Sequence, residues 1–177
     1  TFTLLIPEKK TRESFSGVKT ASAIPLDDES IETDKEPTGI YRKKGKKLVL
    51  IVEDNEDMRF YLKDNLKAQH HVIEAANGKE GWDKIKSQMP DLVVSDMMMP
   101  EMNGLELSKK IKEEKETAHI PVILLTAVGS EDKQLEGFQI GINDYITKPF
   151  TFEILASRND NILAQQKLMH KRFQKQI

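Results

Sequence analysis

A chain of 177 residues with 38% hydrophobic side chains can bury one ordinary domain core with room for tails, whereas two full domains would be cramped. It has no cysteine, which excludes disulfide frameworks and thiolate metal sites and fits a cytoplasmic location. The net charge of −2 is uneven: residues 1–45 carry eight basic and eight acidic side chains, residues 46–160 fifteen and twenty-one, and residues 161–177 four basic and none acidic, so no direct nucleic-acid binding is expected of the acidic middle.

Apolar runs reach only about five or six residues against the roughly 20 of a membrane helix, so a soluble piece without membrane contact is expected. Thr1-Phe2-Thr3-Leu4-Leu5-Ile6-Pro7 alternates and then runs apolar, like a strand stopped by proline and entered in mid-element. Residues 8–45 are charged and rich in Ser, Thr, Pro and Gly, with no burial pattern, and read as a linker. Tyr41-Arg42-Lys43-Lys44-Gly45-Lys46-Lys47 is a solvated basic entry to the first core strand.

From Leu48 onward, strand and helix patterns alternate, the signature of βαβ units around a parallel sheet. Leu48-Val49-Leu50-Ile51-Val52 is the first strand, ending in Glu53-Asp54, and Asn55 to Asp57 offer caps for a helix whose buried stripe is Met58, Leu62 and Leu66 with Tyr61. Val72 to Ala75 is a marginal second strand, and Asn77-Gly78 turns into a helix carrying a half-buried Trp82 and Ile85. Leu92-Val93-Val94 is the third strand, ending at Asp96, with Met97, Met98 and Met99 as loop and packing residues before Pro100. Met102-Asn103-Gly104 leads into a helix with Leu105, Leu107 and Ile111.

Pro121 to Leu125 is the fourth strand, ending in Thr126. The next helix, from about Ser130 with Glu131 and Asp132 in its first turn, holds Gly137 in its interior at a cost of roughly 1 kcal/mol relative to alanine, so it is the most easily remodelled. Gly141 ends it, Asp144 to Thr147 form the fifth strand before Lys148-Pro149, and Phe152, Leu155, Ile162, Leu163 and Met169 mark a last helix.

In an open parallel sheet the carboxyl ends of the strands share the edge where ligands bind, so Glu53, Asp54, Asp96, Thr126 and Lys148 converge. Glu53, Asp54 and Asp96 can supply a partial oxygen set for Mg2+, which keeps several waters and one or two carboxylates. With the cation between them, one carboxylate can act as a nucleophile toward phosphorus, while Thr126 and Lys148 hydrogen-bond and charge-pair the phosphoryl oxygens.

These residues, in the runs Val52-Glu53-Asp54-Asn55, Ser95-Asp96-Met97-Met98-Met99-Pro100, Asn103-Gly104-Leu105, Leu124-Leu125-Thr126-Ala127 and Asp144-Tyr145-Ile146-Thr147-Lys148-Pro149-Phe150, resemble the receiver domain of two-component response regulators. The resemblance implies a doubly wound α/β fold, a five-stranded parallel sheet of order 2-1-3-4-5 flanked by five helices, over residues 46–165. It implies that Asp96 accepts phosphate from a phosphohistidine, that Asp54, Asp96 and the backbone carbonyl of Met98 hold Mg2+ with Glu53 reaching it through water, and that Lys148 is the charge partner. Thr126 would be the switch hydroxyl, Tyr145 the aromatic that follows it, and Lys148-Pro149 a cis bond. Asn143, where an acidic or small polar residue is common, is expected beside the site.

Residues 1–7 resemble the final strand of a histidine kinase ATP-binding domain, and residues 166–177 a basic helical connector to an AraC-type DNA-binding domain, as in hybrid sensors. The donor would then be a histidine kinase in the same polypeptide or its dimer mate. Phosphorylation would be read on the face of the fourth helix, fifth strand and last helix, where Arg158 and Asp160 are placed to pair across a homodimer. Three other readings are weaker. A pseudo-receiver interaction module would not need the intact acidic, hydroxyl and lysine set; a nucleotide-binding domain would need a phosphate loop that Asn77-Gly78-Lys79-Glu80-Gly81 does not supply; and an aspartyl phosphatase would want an acid where Met98 stands.

Overall fold

A computed structural model describes residues 45–129 and 131–175. The readings of residues 1–7 as a strand and 8–44 as a linker, of Ser130 as a helix start and of the Glu131 and Asp132 side chains lie outside the described residues.

The elements alternate in chain order: β1 (Leu48–Val52), α1 (Glu56–Leu66), β2 (His71–Ala75), α2 (Gly78–Gln88), β3 (Leu92–Asp96), α3 (Gly104–Glu113), β4 (Val122–Ala127), α4 (Glu131–Ile140), β5 (Asp144–Lys148) and α5 (Phe152–Lys175). All five strands are parallel in the order β2-β1-β3-β4-β5, as expected. β1 and β3 are buried at every position, the run of β-branched and leucine side chains that a strand covered on both faces requires.

Side-chain alternation sorts the core into two layers. Leu50, Val52, Val93, Val122 and Leu124 face α2 and α3 through Ile85, Leu107 and Ile111. Val49, Ile51, Leu92, Val94, Ile123, Leu125 and Ile146 face α1 and α5 through Leu62, Leu66, Leu155, Ile162 and Leu163. Burying each such side chain stabilises the fold by roughly 1.5–3 kcal/mol, so the layers hold the strand ends in fixed register.

The helix starts are capped as their sequences demand. Asn55 accepts from the Met58 N–H and Asn77 from the Glu80 N–H, while Asn103 and Glu106 form a reciprocal capping box. Asn77 and Gly78 therefore serve structure: a Cβ on Gly78 would lie 2.4 Å from the Met102 carbonyl oxygen.

Two expectations are corrected. Tyr61, assigned to the buried stripe of α1, is 41% exposed, since it lies on the flank of the stripe that Leu62 and Leu66 bury. Asn143 lies at the amino edge of the sheet, not beside the site, where its amide oxygen accepts from the Val122 N–H at 3.0 Å. In the single chain the exposed Arg158 lies 3.1 Å from Asp144.

Candidate functional site

Strand register builds the site. Val52 pairs with Ser95, which brings the next residues, Glu53 and Asp96, level across the β1–β3 boundary where the strand order reverses. That boundary is the crevice where open α/β sheets bind ligands. Asp96 then pairs with Leu125, and Ala127 with Lys148, so four strand ends finish along one edge. By alternation Glu53, Asp96 and Lys148 share the α1 and α5 side, while Thr126 lies on the other.

Lys148 is the hub. Its Nζ lies 3.0 Å from Glu53 Oε2 and 3.0 Å from Asp96 Oδ1. Burial pulls the ammonium pKa down, but the hydrogen bonds to Asp96 and Glu53 outweigh it and hold the group above the ordinary lysine range. Glu53 is 1% exposed, and burial pushes its carboxyl pKa up against the opposing hydrogen bond from Lys148, with nearby Asp96 adding to the rise. Its second oxygen accepts from the Asn55 N–H at 3.2 Å. Asp54, one residue on, is exposed.

Carboxylate oxygens of Glu53, Asp54 and Asp96 lie within 4.8 Å of one another. Opposite oxygens of a Mg2+ octahedron are about 4 Å apart, so the spacing of this acidic set is compatible with such an ion. The Lys148 ammonium pairs with Glu53 and Asp96 but not with Asp54, and carboxylates so placed repel unless a cation joins them. A cleft of about 460 Å3 lined by Glu53, Asn55, Asp57, Met58, Tyr61 and Lys148 opens beside them.

The loop after Asp96 is folded back tightly. Met97 is buried and Met98 exposed, and the Gly104 N–H donates to the Met97 carbonyl at 3.0 Å. A Cβ on Gly104 would stand 2.3 Å from the Asp96 carbonyl oxygen, so only glycine lets α3 start there.

Thr126 is fully buried, with its hydroxyl donating to the Ala127 carbonyl at 3.2 Å. Tyr145 pairs in register with Leu124, which puts it on the Thr126 face, one pleat back. Its ring meets Phe138 edge-on at 4.9 Å, and its hydroxyl is buried with no hydrogen-bond partner among the described residues. Burial, with Glu136 adding, pushes the Tyr145 pKa up to about 12. Gly137 makes that position possible: a Cβ there would be 1.6 Å from the Tyr145 Oη. The glycine expected only to weaken α4 is also a slot for the tyrosine.

Sequence reasoning missed Arg59. Its Nη1 donates to the carbonyl oxygens of Glu53 at 2.7 Å and Asp54 at 3.4 Å. The signal available was an arginine one turn past the Asn55 cap, near enough along a helix to reach back over the strand end.

Residues 49–159 match the family model of the response regulator receiver domain. The chain belongs to that family. It is 39% identical over 148 residues to histidine kinase P4 of Formosa agariphila, covering 84% of this chain and 10% of that protein. It is 37% identical over 118 residues to a chemotaxis protein CheY homolog of Campylobacter jejuni, covering 65% of this chain and 91% of that one. The chain thus spans about a tenth of the histidine kinase it matches, and its receiver part covers nearly all of the chemotaxis protein's length.

Among solved structures it resembles the receiver domain of a signal transduction histidine kinase from Syntrophus aciditrophicus, with a TM-score of 0.63, 33% identity, and coverage of 67% of this chain and 91% of that one. It also resembles chemotaxis protein CheY4 of Vibrio cholerae, with a TM-score of 0.63, 30% identity, and coverage of 66% and 98%. Receiver domains of this kind accept phosphate from histidine kinases in two-component phosphorelay systems. No helix among the described residues is long and apolar enough to cross a membrane.

Proposed function

We propose that this receiver domain takes a phosphoryl group on Asp96 from the phosphohistidine of a histidine kinase, in a Mg2+-dependent reaction, and passes the signal to a downstream output domain. The observation that carries the proposal is Asp96 itself: a carboxylate closing the central strand, level with Glu53, and 3.0 Å from the Lys148 ammonium. An Asp96 oxygen attacks phosphorus, the phosphorus–nitrogen bond breaks, and the imidazole leaves with the bonding pair. Asp54, Asp96 and the Met98 carbonyl would hold the Mg2+, with Glu53 reaching it through water. Bound there, the ion neutralises charge developing on the phosphoryl oxygens.

Lys148 then exchanges part of its pairing with Asp96 for a phosphoryl oxygen, which keeps the added charge compensated. The new group brings about −1.5 to −2 charge, and the Thr126 hydroxyl gains a hydrogen bond by turning toward it. Tyr145 follows into the space released, leaving its slot over Gly137, and the face of α4, β5 and α5 changes shape. That face would bring two copies together as a homodimer. α5 runs on beyond Leu163, the last buried residue among those described, as the basic helix through which a DNA-binding domain regulating transcription would be joined. A hybrid histidine kinase parent, with this segment between kinase and output, fits the relatives' names.

Incubating the chain with acetyl phosphate and Mg2+ should add one phosphoryl group by intact mass, and Asp96→Ala should abolish it. An unchanged yield in Asp96→Ala removes Asp96 from the nucleophile's role. The output step is read separately by sedimentation with beryllofluoride, which should convert monomer to dimer.

A further inference from the structure

Glu53 and Asp54 leave β1 into a two-residue loop before the Asn55 cap, and a loop this short gains its geometry from whatever holds its backbone. The Glu53 N–H continues the ladder, donating to the Ala75 carbonyl at 3.1 Å. Its carbonyl has left the ladder, and Arg59 takes it at 2.7 Å, reaching the Asp54 carbonyl at 3.4 Å with the same nitrogen. The guanidinium thus spans the two peptide oxygens whose side chains are two of the three clustered carboxylates.

Arg59 is itself held. It is the fourth residue of α1, its N–H donates to the Asn55 carbonyl at 2.9 Å, and its Nε lies 3.8 Å from Glu74 Oε1 on β2. Glu74 is further fixed by an ion pair with Lys63, and its backbone carbonyl accepts from Lys84. With only 19% of its side chain exposed, Arg59 stands between β2 and the acidic loop rather than in solvent. A planar fork with five donors can serve two carbonyls and a carboxylate at once, which an ammonium cannot do with the same fixed directions.

From this geometry we infer that Arg59 is a positioning residue for the divalent cation: by clamping the Glu53 and Asp54 carbonyls to β2 through Glu74, it preorganises the carboxylates that receive Mg2+. The inference rests on the cation site proposed above. It touches neither metal nor phosphate and acts through the backbone, as outer-shell partners of metal ligands do; losing such a partner typically weakens metal affinity by about 10–100-fold.

The test is calorimetric Mg2+ titration of the 177-residue chain at a temperature where circular dichroism shows every variant folded. Arg59→Met, which keeps the apolar stem, should weaken Mg2+ affinity about tenfold. Arg59→Lys, keeping charge without the fork, should recover only part of it, and Glu74→Gln, which frees the far end of the clamp, should weaken affinity by a smaller factor. A merely structural arginine would lower the melting temperature in these variants and leave the affinity of the folded protein unchanged. Wild-type affinity in folded Arg59→Met, or in Arg59→Lys and Glu74→Gln should Arg59→Met fail to fold, overturns the inference. Absence of Mg2+ binding by the wild type instead overturns the site itself, so the two failures are distinguishable.

Discussion

The amino and carboxyl edges of the sheet both carry charged side chains, and they treat them in opposite ways. At the amino edge Asp91 accepts from the Leu48 N–H at 2.8 Å and from Lys47 at 2.8 Å. Asn143 accepts from the Val122 N–H, and Lys112 donates to the Ile120 carbonyl at 2.8 Å. Those groups are closed on backbone or on an opposite charge. At the carboxyl edge three carboxylates lie within 4.8 Å of one another, Lys148 pairs with two of them, Glu53 and Asp96, and the Asp54 carboxylate makes no hydrogen bond or ion pair among the described residues. Polar groups that serve the fold are saturated by it; a cluster left one cation short is arranged for something that arrives.

Removing Lys148 should separate the edges most sharply. Stripping one partner from a buried ion pair costs about 3–5 kcal/mol, and with Lys148 26% exposed the loss in Lys148→Met should be nearer 2 kcal/mol without divalent cations. Saturating Mg2+ should return most of it, since the ion replaces the missing charge. Asp91→Asn at the other edge should cost about 1 kcal/mol and show no such recovery. Urea denaturation with and without Mg2+ reads both, and equal Mg2+ responses would erase the distinction.

Next in size is the packing beside the carboxyl edge. Gly137→Ala drives a methyl into the Tyr145 hydroxyl, a clash of about 1–3 kcal/mol, partly offset by a gain of roughly 1 kcal/mol in helix propensity. In a Tyr145→Ala background the clash with the hydroxyl is gone and only the flexible Ile142 Cδ1, 2.7 Å from the added Cβ, must give way, so the same substitution should cost less than in the wild type. Denaturation of the four variants in this cycle gives the coupling, and additive effects would mean that Gly137 makes no room for Tyr145.

The smallest effect concerns an exception at the amino edge. His70 is buried, both ring nitrogens lack partners among the described residues, and burial pulls its pKa below the ordinary 6.5, with Asp160 and Asp91 opposing and Lys46 adding to the fall. The unfolded chain therefore binds that proton more readily, so stability is full above about pH 6.5 and is lost as the pH falls below it toward the folded value. Glu53 has the opposite sign: its raised pKa favours the folded state at low pH, a contribution lost as pH rises through that value. Comparing wild type with His70→Gln cancels Glu53, and the drop in Tm from about pH 7.5 to 5.5 should be a few degrees smaller in the variant. Parallel profiles would remove His70 from the pH response.

Much of this was legible from order alone. Five apolar runs became five strands, and alternation with helices implied the parallel sheet. The placement of Glu53, Asp54, Asp96, Thr126 and Lys148 followed because four of the five runs ended in a polar group and parallel strands end together. What could not be read depends on contacts between elements. Arg59 reaches its carbonyls only once the first turn of α1 points it back over β1. The slot at Gly137 exists only against Tyr145 on the next strand, and Arg158 finds Asp144 only when α5 packs beside β5. Tyr61 shows the limit of helical periodicity, since one position beside a stripe can fall on either side of the burial line.

Asp96, and no other acid of the cluster, is proposed to carry the phosphoryl group. Treating the chain with acetyl phosphate and Mg2+, reducing the acyl phosphate with borohydride and mapping peptides by mass tests it directly, because the phosphorylated aspartate is converted to homoserine. Homoserine at position 96 alone, and only when Mg2+ was present, is the predicted result; homoserine at position 54, or at no position while the protein remains folded, would contradict it.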